Sequence, residues 1–113
     1  MIVIMSKNIK FKLPAPALFT LIKLGNDMNS ARRRRRITKE LMAKRAGISI
    51  NTLSKVERGS PNTSMAAWIS VLSVLGLTDN LKDICDLKND EMGIILEDDN
   101  LPKRIRYKKV YYE

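Results

Sequence analysis

Residues 37–59 read Ile-Thr-Lys-Glu-Leu-Met-Ala-Lys-Arg-Ala-Gly-Ile-Ser-Ile-Asn-Thr-Leu-Ser-Lys-Val-Glu-Arg-Gly. Their spacing predicts two short helices joined by a tight turn at Gly47. Thr38 supplies a hydroxyl just before a helical run. Leu41 stands three places on, so this is an N-cap without the acidic partner of a full capping box. Met42, Ala43 and Ala46 then recur at helical spacing. Gly47 falls where a left-handed turn needs a residue without a β-carbon. Ile48 is placed to plug the angle between the helices, and Ser49 to cap the second one. Leu53 and Val56 give that helix an inward stripe, and Gly59 ends it.

Spacing says more here than composition. Ala43 lies four residues before Gly47 because two helices crossing near a right angle need a small side chain at the contact. Leu53, six residues after Gly47, faces back into the same contact. Ser49, Ile50, Asn51, Ser54, Lys55 and Arg58 are left on the outer or leading surface of the second helix. That is the layout of a helix-turn-helix, whose second helix enters the DNA major groove N-terminus first. An ordinary helical hairpin with a glycine turn is the plainer alternative. Agreement between charge, turn and small-residue spacing favours the helix-turn-helix.

A chain of 113 residues suggests one domain plus tails, and 44% hydrophobic residues suffice for a modest core. With one Trp, two Phe and three Tyr, aliphatic helix packing should dominate. The net charge of +9 favours polyanions, nucleic acid or an anionic membrane, although solubility alone also accounts for it. Cys85 is the only cysteine and there is no histidine, which argues against an intrachain disulfide or a metal site. The apolar start, Met1 to Met5, is too short to span a membrane and lacks a signal peptide's order of basic then apolar residues. The expected location is the cytoplasm, including the nucleoid.

Residues 1–16 read as an N-terminal arm. Alternation through Lys10, Phe11, Lys12 and Leu13 is strand-like, and a disordered terminus is an equal alternative. After Pro14 and Pro16, a helix is expected over about 17–35, with Leu18, Leu21, Ile22 and Met28 buried. Gly25 should weaken it by about 1 kcal/mol relative to alanine. The run Arg32 to Arg36 points all round a helix; some of these side chains suit the helix dipole, some could reach phosphate, and the rest are solvated. A nuclear-import signal is disfavoured by its place inside a helix. Ser64 should cap a helix over 65–75 that buries Ala66, Ile69, Leu72 and Leu75, with Trp68 in the core and Gly76 as terminator. A short helix over 80–85 should close the bundle through Leu81 and Ile84, with Cys85 as a small buried hydrophobe. The charge is divided: +10 over residues 1–85, −5 over 86–99 and +4 over 100–113. Met92, Ile94, Ile95 and Leu96 form a short apolar helix candidate within the acidic part. Residues 105–112 suit a strand or a basic arm.

These residues resemble the Cro/C1-type, or XRE-type, helix-turn-helix family. The resemblance rests on Arg35-Arg36-Ile37-Thr38, Ala43, Ala46-Gly47-Ile48-Ser49 and Thr52-Leu53-Ser54-Lys55-Val56-Glu57-Arg58-Gly59, and covers about residues 18–85. It implies an all-α, five-helix lambda-repressor-like bundle (residues 17–86) that binds operator DNA as a two-fold homodimer. An extended N-terminal arm precedes it, and a C-terminal tail (residues 87–113) with a short helix follows. Pro61 with Ser64, the run Leu72 to Leu77, Asp90-Glu91-Met92-Gly93 and Leu101-Pro102-Lys103-Arg104-Ile105-Arg106 resemble HipB-like antitoxins. Those accompany HipA-type serine/threonine kinase toxins, with or without an additional small subunit. The extended arm before Ala17 departs from the family pattern, and so do two positions within the motif. Lys39 stands where glutamine is usual and keeps a phosphate contact without amide readout. Ile50 stands where a glutamine often reads adenine, and it can only pack on a thymine methyl.

The expected function is therefore repression of its own operon as a type II antitoxin. Ser49, Ile50, Asn51 and Lys55 would face base edges; Arg36, Thr38, Lys39, Thr52, Ser54 and Arg58 would hold phosphates. A free-standing phage or plasmid repressor, and a protein-binding module without an operator, are the alternatives. No catalytic residues, cofactor or metal are expected. The adjacent carboxylates Asp98 and Asp99 lie in an acidic run and read as solvated.

Overall fold

Local signals start and stop each helix of the computed structural model, which describes residues 12–97, 101 and 103–105. All regular structure among these residues is helical. In order, the helices are α1 (Ala15–Arg34), α2 (Lys39–Ala46), α3 (Ile50–Arg58), α4 (Met65–Leu75), α5 (Asp79–Lys82), a 3-10 turn (Leu87–Asn89) and α6 (Glu91–Ile95). The hydroxyls of Thr38, Ser49 and Ser64 accept hydrogen bonds from the amides of Leu41, Thr52 and Ala67 at 3.0–3.1 Å. Each satisfies one orphan donor of a first turn. Gly47, Gly59 and Gly76 adopt φ of +72° to +76° and end α2, α3 and α4.

The contacts divide the chain into two units, residues 1–81 and 82–113. The first contains the core. Met42, Leu53, Val56 and Val71 are fully buried, joined by Met28, Ala31, Ala43, Ala67 and Leu75. In the second unit, the Asp86 carboxylate accepts from the Lys88 amide, and that of Asp90 accepts from the Gly93 amide at the start of α6.

Several expectations are corrected. Helix α1 begins two residues early, because Pro16 falls in the first turn, where a missing N–H costs nothing. Its inward residues are Gly25, Met28, Ala31 and Arg32; Leu18 and Leu21 are half-buried and Ile22 is exposed. Helix α4 buries Ala67, Val71 and Leu75, while Ala66 and Ile69 are exposed. An almost wholly apolar helix carries no periodicity to choose its own face. Helix α5 stops at Lys82, so Ile84 and Cys85 fall in a turn and are exposed rather than buried. Trp68 is half-buried against the core, and its indole N–H donates to Thr63 Oγ1 at 2.9 Å. Lys12 and Leu13 are not in a strand. The remainder of the strand reading for the arm, Asp98 and Asp99, and the C-terminal arm beyond Ile105 lie outside the described residues.

Gly25 reverses its expected role. A β-carbon there would lie 2.7 Å from Gly59 N and Val56 O, and 2.8 Å from Glu57 O, all backbone atoms. The glycine is therefore where α1 crosses the end of α3. Gly25→Ala should lower stability by about 2 kcal/mol in chemical denaturation, because overpacking outweighs the gain in helix propensity. An unchanged or raised midpoint would show that the crossing can relax.

Candidate nucleic-acid interface

Helix α3 sorts its side chains by angle. Leu53, Val56 and Glu57 turn inward and are buried. Asn51, Lys55 and Arg58 are exposed, and Ser54, half-buried, completes their stripe at i, i+3, i+4, i+7. Ile50 flanks the stripe and is 44% exposed, so its side chain is available for apolar contact. The only acid of α3, Glu57, is buried, which leaves the outer face purely neutral and basic.

Glu57 was given no role by its sequence position. It accepts from Arg32 Nε at 2.7 Å and Nη2 at 3.3 Å, and from Asn29 Nδ2 at 2.7 Å. Arg32 also donates from Nη1 to the Ile37 carbonyl at 2.9 Å. The ion pair is almost fully buried and joins α1, the α1–α2 turn and α3. A signal existed: Glu57 stands at i+4 from Leu53, on the inward stripe, where a carboxylate needs a cation.

The remaining sequence-predicted residues cluster beside this helix. Lys39, first residue of α2, donates from Nζ to Ser54 Oγ at 3.4 Å and so bridges α2 to the α3 stripe. Thr38 caps α2 and is exposed. Ser49 and Thr52 are occupied with each other: Ser49 Oγ donates to Thr52 Oγ1 at 2.9 Å and accepts from the Thr52 amide at 3.0 Å. Both hydroxyls shape the N-terminus of α3, and any contact they make with DNA shares that duty.

Arg36 is exposed and has a φ of +57°, the sole left-handed residue other than glycine among those described. Its amide bonds to the Arg33 carbonyl, and the next amide, Ile37, bonds back to the Arg32 carbonyl at 3.2 Å. Helices α2, α3 and α4 close with the same back-bond, from Ile48 to Ala43, Ser60 to Lys55 and Leu77 to Leu72, but with glycine at the left-handed position. Holding an arginine there costs about 1–2 kcal/mol. Arg36→Gly should therefore raise stability by about 1 kcal/mol in denaturant melts while weakening DNA binding and its salt dependence. A variant that binds DNA as tightly as the parent would remove Arg36 from the interface.

Among the described residues no helix is long and apolar enough to cross a membrane, and no cluster of His, Cys, Asp or Glu is placed to hold a metal ion. No curated protein matches the chain. Residues 23–83, more than half of its length, match the helix-turn-helix domain family. The matched span contains α2, α3, the Arg32–Glu57 pair and the polar stripe. The chain belongs to the helix-turn-helix domain family, is of the Cro/C1 type, and is by class a DNA-binding regulator.

Proposed function

We propose that this protein represses its own operon as a homodimer and is the type II antitoxin partner of a HipA-like serine/threonine kinase toxin. The observation that carries the DNA half is the stripe of Asn51, Ser54, Lys55 and Arg58 on α3, with Lys39 of α2 bonded alongside. Asn51 and Lys55 have the donors to read base edges, with Ile50 offering methyl contact to thymine. Arg36, Lys39, Ser54 and Arg58 position the body on phosphates, joined by Thr38 and by whatever the capping hydroxyls of Ser49 and Thr52 can spare. A two-fold dimer would set two such helices in successive turns of the major groove. This reading places the protein in the cytoplasm, at the nucleoid.

The kinase half rests on the likeness to HipB-like antitoxins at Pro61, Ser64 and residues 72–77, 90–93 and 101–106, and on apolar surface fit for a protein partner. Within the first unit, a groove of about 400 Å3 lies between α1 and α4, lined by residues that include Ala17, Leu21, Trp68 and Ile69. Within the second, Met92, Ile94 and Ile95 of α6 are each at least half exposed. That apolar surface also suits a second reading, a protein-binding module without an operator.

A gel shift on the protein's own promoter region separates these readings. The parent should shift that duplex in preference to random DNA. Asn51→Ala and Lys55→Ala should each cost about 1–3 kcal/mol and relax sequence preference. Variants that match the parent on both duplexes would sink the base-reading assignment. Co-purification with the product of an adjacent kinase gene should follow for an antitoxin, and a free-standing repressor would show no such partner.

A further inference from the structure

The five arginines of the run do two different jobs. Arg32 is buried on Glu57, and Arg35 donates from Nη1 to the Ala31 carbonyl at 2.9 Å. Arg33, Arg34 and Arg36 instead line a surface notch of about 470 Å3 with Ser30. Positions 30, 33 and 34 are neighbours on one helical face, on the side of α1 away from Met28 and Arg32. Among the described residues, the Arg33 side chain makes only a long bond, 3.4 Å, to Asn29 Oδ1. Among the described residues no carboxylate pairs with Arg33, Arg34 or Arg36. Three like charges gathered at one notch repel each other in the isolated chain, and an anion placed among them relieves that repulsion.

We infer that this notch holds a backbone phosphate of duplex DNA beyond the groove faced by α3, so that Ser30, Arg33 and Arg34 carry the interface onto the outer face of α1. The inference rests on the DNA-binding reading. Guanidinium forks match the planar spacing of phosphate oxygens, and the Ser30 hydroxyl adds a further donor. Continuity selects DNA over an acidic polypeptide. Arg36 forms one wall of the notch, and two residues later Thr38 and Lys39 open α2 and lead to Ser54 on α3. Such a contact adds affinity and salt dependence without sequence preference.

The test titrates the full-length chain against its promoter duplex and a random duplex of equal length over a range of salt, with fluorescence anisotropy as readout. Arg33→Gln/Arg34→Gln is the test variant; both side chains are exposed, so its thermal melt should match the parent's. Its log–log salt slope should be shallower by about 0.9 for each phosphate it no longer neutralises, with affinity reduced equally on both duplexes. Arg33→Lys/Arg34→Lys should keep the parent slope. Trimming the flanking base pairs should bring the parent's slope down to that of the Gln variant. A parent that binds DNA with the same slope as the Gln variant on the untrimmed duplex overturns the notch and leaves the DNA reading standing. A parent that binds neither duplex overturns both. Weakened binding of the Gln variant to polyglutamate, with its DNA slope unchanged, assigns the notch to an acidic polypeptide and overturns the proposal.

Discussion

The buried pair of Arg32 and Glu57 fixes how the motif helix is presented. Two charges out of water are tolerable only with near-complete hydrogen bonding, and here Asn29 and the Ile37 carbonyl supply the remaining partners. The pair joins the end of α1 to the inward edge of α3 and also holds the turn between α1 and α2. Rotating α3 about its axis would break it. The outward stripe of Asn51, Ser54, Lys55 and Arg58 therefore has one orientation relative to α1 and α2. Charge removed from the surface at Glu57 leaves the exposed face of α3 without an acid, so one interaction serves both geometry and electrostatics.

Close approach of backbone complements this polar lock. Gly25 lets α1 touch the last turn of α3, and Gly59 rests against the backbone of Ile22 from the other side. Small residues at the crossing and a charged pair at its edge leave little freedom in the angle between the two helices. Arg36 is the exception to a consistent pattern: it occupies the left-handed position that glycine takes after α2, α3 and α4. An arginine kept at a conformational cost, on the margin of a basic surface, is a local conflict of the sort that function explains better than stability.

Two chemically different surfaces result. The polar one runs from α1 through the start of α2 to α3 and carries arginine, lysine, amide and hydroxyl groups. The apolar one, the groove between α1 and α4, is lined almost entirely by carbon. A polyanion and a protein partner would thus meet separate parts of the first unit, as the function proposed above needs.

The punctuation of this fold is legible in the order of the amino acids. Thr38, Ser49 and Ser64 as caps, Gly47, Gly59 and Gly76 as terminators, and Ala43 and Leu53 at the helix contact can all be read there. Each depends on a few neighbouring residues and known backbone preferences. The outer stripe of α3 is equally legible, since Leu53 and Val56 leave only one inward side. Folding in three dimensions settles the choices between local equals. Five identical arginines carry no signal of which one is buried, and only the approach of Glu57 selects Arg32. An apolar α4 offers several faces, and packing selects Ala67, Val71 and Leu75. Gly25 reads as a weak point in a helix until another backbone is seen against it. Local chemistry sets where helices begin and end; long-range contact alone sets which of their similar residues face inward.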